Sequence, residues 1–253
     1  MYRNLRCTLI ALVLLAIFGL QTGADVHGNS ISFTHLQPNS SESVLLSDLI
    51  SGEVPGLVVG DKLFDGFTYQ FTGDMPTGSL INVSGIEVEG HFGIRFQGGF
   101  KDLFDLGNQS SASLIEFDVH VADPKQYLIS DVHLDGNPSL SQPADSVLNA
   151  FAAVVETVSG PFGSLELRIQ SDLNGLTNTA WIDPLPWPVE RLHVSKDIQL
   201  FSIIENEIGT RATISRIDQT FSQIQVEIPE PTTLCLFGFA VICSVCSRRR
   251  EQT

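Results

Sequence analysis

Basic residues are scarce: 14 Lys and Arg stand against 29 Asp and Glu, a net charge of −15 over 253 residues. A nucleic-acid binder needs a cationic face that displaces counterions from phosphates, so this balance excludes that class. Cysteine is rarer still, with four residues at positions 7, 235, 243 and 246, all near the ends. The long stretch between them has no disulfide and no thiol nucleophile. A body of about 200 residues buries enough apolar surface to fold without a staple. Also missing are the Gly-x-Ser-x-Gly elbow, His-Glu-x-x-His, the P-loop and the Rossmann fingerprint. Glu87 and Glu89 fall on one strand face, but a glycosidase pair must face across a cleft at a definite separation. The chain therefore reads as non-enzymatic.

What is present is alternation. With 43% hydrophobic residues the chain is not disordered as a whole. Leu114–Val121 (LIEFDVHV) puts Ile115, Phe117, Val119 and Val121 on one face and Glu116, Asp118 and His120 on the other. That period of two is what a half-buried strand requires. Similar runs cover Phe67–Phe71, Ile81–Val88, Phe92–Phe96, Leu128–Leu134, Phe151–Val158, Leu165–Ile169, Leu192–Val194 and Ala212–Ile217, separated by Gly, Pro, Asn and Asp. Only Ser43–Ile50 has helical spacing, Asp145–Ala153 is ambiguous, and no βαβ alternation occurs. Many short alternating strands with turn punctuation predict an all-β chain, an antiparallel β-sandwich of jelly-roll or Ig-like type. Asp123-Pro-Lys-Gln reads as the turn of a hairpin joining Leu114–Val121 to Leu128–Leu134.

The two ends have a different character. Arg3 and Arg6 precede the uncharged apolar run Thr8–Leu20, and small residues follow. This is the layout of a secretory signal peptide. Thr22 and Ala24 suit the −3 and −1 positions of signal peptidase, which places the cut after Ala24. Near the other end, Pro229-Glu230-Pro231 leads into the uncharged stretch Thr232–Ser247 and then Arg248-Arg249-Arg250. Sixteen residues make a helix of about 24 Å. A bilayer core is about 30 Å thick, so the span is short and relies on local thinning or snorkelling of the arginines. Basic flanks stay cytoplasmic, which puts the body on the far side of the membrane. The segments are a signal peptide at 1–24, a sandwich body at 25–227, and a tail at 228–250 with its membrane helix at 232–247. The body keeps nine basic and 27 acidic residues. That charge favours solubility and would also suit divalent cations or a hydrated matrix.

The order of Pro-Glu-Pro, a short apolar helix and an arginine cluster resembles the PEP-CTERM sorting tail of Gram-negative bacteria. The same tail is also catalogued as an ice-binding protein C-terminal domain. Asp218–Gln223, leading into it, is similar to bodies that carry this signal. The resemblance implies that signal peptidase and the inner membrane are transient partners. It further implies that an exosortase processes the tail and delivers the body to the cell surface or to extracellular polysaccharide. The sorting residues are Pro229, Glu230, Pro231, Arg248, Arg249 and Arg250.

Three candidate chemistries remain in the body. Of the histidines, His91, His120 and His133 stand out. Asp118 with His120, and Asp131 with His133 and Asp135, each share a strand face. If the two strands pair, Asp118, His120, Asp131 and His133 converge as ligands for zinc or another divalent metal. The same residues also suit the solvent face of an exposed sheet. No other cofactor is expected. Asp61/Asp65, Asp102/Asp105 and Asp172-Leu-Asn174 offer oxygen ligands for calcium, but none completes a calcium motif, and they read as turn formers. Trp181 and Trp187 bracket a proline-rich loop, where they either contact glycan or plug one end of the sandwich. The sequons at Asn39, Asn82 and Asn108 matter only in a eukaryotic host, which the tail argues against.

Overall fold

The computed structural model describes residues 32–103, 110–141, 150–172, 175–179, 181–182, 184–202, 204–205, 208–209 and 211–226. The expected signal peptide with its cut after Ala24 and the expected membrane helix of the tail lie outside the described residues. So does 142–149, which takes in most of the ambiguous stretch Asp145–Ala153. Among the described residues no helix is long and apolar enough to cross a membrane.

The chain begins with β1 (Thr34–His35) and β2 (Ser43–Leu45), then a six-residue helix α1 (Leu46–Ser51) and β3 (Leu57–Val59). A long β4 (Lys62–Thr72) and one 3-10 turn (Gly78–Leu80) lead to β5 (Asn82–Val88), β6 (His91–Leu103) and β7 (Ser110–Val121). Next come β8 (Tyr127–Gly136), β9 (Ser139–Ser141), β10 (Phe151–Gly160), β11 (Gly163–Asp172), β12 (Gly175–Thr179) and β13 (Trp181–Ile182). The last elements are β14 (Arg191–Phe201), β15 (Ile204–Glu205), β16 (Ile208–Gly209) and β17 (Arg211–Gln225). Every strand expected from alternation is found, most of them longer than the run that signalled them. The helical spacing at Ser43–Ile50 divides between β2 and α1.

Two sheets form. The first has the order β1-β3-β4-β7-β14-β10-β11-β12, and the second β13-β8-β17-β6-β5-β2, with β9 also on β17. β15 and β16 pair separately. All of these pairs are antiparallel except β1 with β3. Together the two sheets make the β-sandwich, with the core between their inner faces.

The expected hairpin through Asp123-Pro-Lys-Gln is not formed. β7 has β4 on one side and β14 on the other, so it has no free edge for β8. The Asp123–Gln126 turn, closed by Tyr127 N–H donating to Asp123 O at 3.0 Å, sends the chain across to the second sheet. A second correction concerns Glu89. β5 ends at Val88, and Glu89 and Gly90 form the two-residue link to β6 with φ of 53° and 87°. Both residues lie in the left-handed region that a type I′ hairpin needs, so Glu87 and Glu89 do not share a strand face.

The core follows from the alternation. Ile115, Phe117 and Val119 of β7 are fully buried, and Phe117 lies 5.5–6.2 Å, ring centre to ring centre, from Phe64, Phe67 and Phe96. Polar residues also enter this apolar layer, Glu156, Lys196 and Gln219 among them. Glu156 of β10 is paired in register with Lys196 of β14, and Gln219 of β17 faces them from the opposite sheet. All three are fully buried. Lys196 Nζ donates to Glu156 Oε2 and to Gln219 Oε1. Gln219 Nε2 donates in turn to the His133 carbonyl at 3.0 Å. Burial disfavours both charges, pushing the Glu156 carboxyl up and the Lys196 ammonium down.

Candidate functional site

The four expected metal ligands divide between the two sheets. Asp118 and His120 lie on β7 in the first sheet, and Asp131 and His133 on β8 in the second. They do not meet, because the hairpin that would unite them is absent.

On the first sheet, Asp118 lies on the side of β7 opposite Phe117. Arg191 donates to its Oδ2 at 2.6 Å, and His193 Nδ1 lies 3.0 Å from its Oδ1, both from the neighbouring β14. His120 Nε2 contacts Asp65 Oδ1 of β4 at 3.2 Å. Partial burial works against the Asp118 charge, but the hydrogen bonds and charges of Arg191 and His193 outweigh it. The carboxyl is therefore held below its ordinary value. The sign follows directly. The unfolded chain takes up this proton more readily, so the contribution is complete above the unfolded carboxylate value near ~3.9. It is lost as pH falls through the lower folded value. Asp118→Asn is expected to cost about 1 kcal/mol in urea unfolding at neutral pH, a small effect because Arg191 is largely exposed. The difference between the two chains should disappear in strong acid.

The outer face of the second sheet carries two polar rows across β6, β17 and β8. In one, Arg95 of β6 grips Asp218 of β17 with two hydrogen bonds of 2.7 Å, and Arg216 reaches from Asp218 at 3.2 Å to Asp135 of β8 at 2.7 Å. In the other, His91 opens β6, Ser222 lies on β17, and Asp131 and His133 lie on β8. Ser222 is in register with Asp131, and its N–H donates to Asp131 Oδ1 at 2.8 Å. The Ser222 hydroxyl bonds His91 Nδ1. His133 Nε2 lies 3.1 Å from Asp131 Oδ1, and the two imidazole rings are 5.1 Å apart. Burial again opposes the Asp131 charge, and the bonds from His133 and Ser222 outweigh it, holding the carboxyl low. Ligand atoms of His91, Asp131 and His133 all lie within 4.8 Å of one another. The type I′ link at Glu89-Gly90 places His91, and the β-bulge between Ser222 and Gln223 shapes the β8 side. Ser222 had no signal in the sequence, since a serine near a strand end is commonplace.

The remaining candidates take other places. Asp61 is bonded by the buried Lys62 at 2.6 Å, and Asp102 is buried, accepting from the hydroxyls of Ser111 and Ser202. Asp172 ends β11 and accepts from Gln170 at 3.2 Å, while Asp105 and Asn174 lie outside the described residues. Trp187 is half exposed and meets the Phe162 ring edge-on at 6.0 Å. The backbone of Trp181 in β13 pairs with that of His133.

Residues 227–250 match the family model of the PEP-CTERM protein-sorting motif. The motif implies export, a membrane-anchored intermediate, processing by an exosortase and display at the cell surface. No curated protein sequence matches the chain. Among solved structures, that of TmCBM61 in complex with beta-1,4-galactotriose is similar at 11% identity. The match covers 61% of this chain and 88% of that one, with a TM-score of 0.27.

Proposed function

We propose that the chain is a non-enzymatic surface or extracellular-matrix protein of a Gram-negative bacterium, with a structural or adhesive role. The sorting motif at residues 227–250 carries this reading. In it, the signal peptide takes the sandwich across the inner membrane and is cut after Ala24. The tail holds the body at that membrane until an exosortase acts near Pro229-Glu230-Pro231. The body suits such a destination: it carries no cysteine whose redox state matters, and its surplus of acidic residues keeps it solvated in a polysaccharide matrix. Fractionation of cells with and without the exosortase tests the route. The body should be extracellular in the first and retained in the inner membrane in the second. Equal distribution in both strains would contradict it.

A second reading, a glycan-binding module delivered by the same route, is favoured by the exposure of Trp187. An indole half open to solvent and backed by Phe162 offers the flat apolar surface on which a pyranose ring stacks. Retention on a polysaccharide array should weaken by about 2 kcal/mol, roughly thirtyfold, in Trp187→Ala. An unaltered chain that is retained on no polysaccharide eliminates this reading.

A further inference from the structure

We propose that His91, Asp131 and His133 form a binding site for one divalent transition-metal ion, with zinc the best fit. Two imidazoles and a carboxylate are a zinc-type donor set, and a three-residue set leaves a fourth position for water or a partner's ligand. Among the described residues this is the one place where three such side chains converge.

The geometry already resembles a ligand shell. Two ligands about 2.1 Å from one tetrahedral ion stand about 3.4 Å apart. His133 Nε2 and Asp131 Oδ1 are 3.1 Å apart, so one ion can replace the proton they now share. The wider separations, up to 4.8 Å, close by side-chain rotation of the partly exposed histidines.

Ser222 prepares the other two ligands. Its hydroxyl meets His91 Nδ1. That contact occupies Nδ1 and leaves Nε2 as the nitrogen that would meet the metal. A ligating histidine whose second nitrogen is fixed by a hydrogen bond is the usual outer shell of a metal site. The Ser222 N–H additionally holds Asp131 Oδ1. Across the sheet, Gln219 fixes the His133 carbonyl from within the core, so the β8 backbone at the site is anchored from inside. A plain solvent face needs none of this, and it does not call for Asp131 to be buried beside two histidines.

The test uses the untagged full-length chain in detergent, stripped with a chelator and titrated with Co²⁺ and then Zn²⁺. One Co²⁺ per chain should bind with visible absorption bands of low-symmetry nitrogen and oxygen ligation, and Zn²⁺ should displace it while Ca²⁺ does not. His91→Ala and His133→Ala should each weaken Zn²⁺ binding by more than tenfold. Ser222→Ala, which acts through positioning, should weaken it by roughly 10–100-fold. His120→Ala, on the other sheet, should leave it unchanged. Far-UV circular dichroism checks that each variant is folded, and the Co²⁺ spectrum of the unaltered chain needs no variant at all. Absence of bound metal in the unaltered chain, or folded His91 and His133 variants that bind Zn²⁺ as well as it does, would overturn the proposal.

Discussion

Lys196→Ala is expected to destabilise the sandwich by about 3–5 kcal/mol, because it leaves the Glu156 carboxylate buried with no countercharge. A domain of ordinary stability has about 5–15 kcal/mol in total, so this single change removes a large part of it. For a body of about 200 residues the melting temperature should fall by roughly 10 °C. The pair is not a simple source of stability, since burial works against both of its charges. One carboxylate oxygen, Glu156 Oε1, also has no hydrogen-bond partner. Replacing both partners with apolar residues of similar size, as in Glu156→Leu with Lys196→Met, should therefore recover most of the loss. Recovery stays incomplete because Gln219 Oε1 loses its donor, which costs about 1–3 kcal/mol. Thermal unfolding of the three chains reads this directly. A Lys196→Ala chain as stable as the original would show that Lys196 does not serve as the countercharge of the buried Glu156.

Changing Arg248, Arg249 and Arg250 together to glutamate is expected to abolish most of the processed extracellular protein. In the proposed route the apolar stretch before them is short for a bilayer, and the arginines would supply the cationic stop that keeps their end cytoplasmic. With the charge reversed, that stop becomes a like-signed neighbour of anionic lipid headgroups. Immunoblots of medium and membrane fractions should show the processed form nearly gone, with the folded sandwich itself unaffected. Unchanged processing would mean that the arginine cluster plays no part in recognition or retention.

Alternation along the chain made the strands legible, because a half-buried strand records its inner face every second residue. It did not record partners. Leu114–Val121 and Leu128–Leu134 are close in sequence and joined by a turn, yet β7 was already flanked on both sides, so β8 crossed to the other sheet. That crossing explains why Asp118 and His120 never meet Asp131 and His133. His91 is 40 residues from Asp131, and only the shared neighbour β17 brings them together. No spacing rule reaches that far. The buried pair, by contrast, left a trace. Glu156 lies between Val154 and Val158 and Lys196 between Val194 and Ile198, each on an otherwise apolar stripe. Opposite charges on two inward faces are what a cross-strand ion pair leaves in a sequence. The ends were read from charge, length and, at the tail, the Pro-Glu-Pro order that resembles a sorting signal, and the sorting-motif match covers the same tail residues.

The most direct test is the intact mass of the protein recovered from the medium of exosortase-bearing cells. The expected species begins after Ala24 and ends near Pro229-Glu230-Pro231, without Arg248–Arg250. An extracellular species that still carries those three arginines would contradict the account.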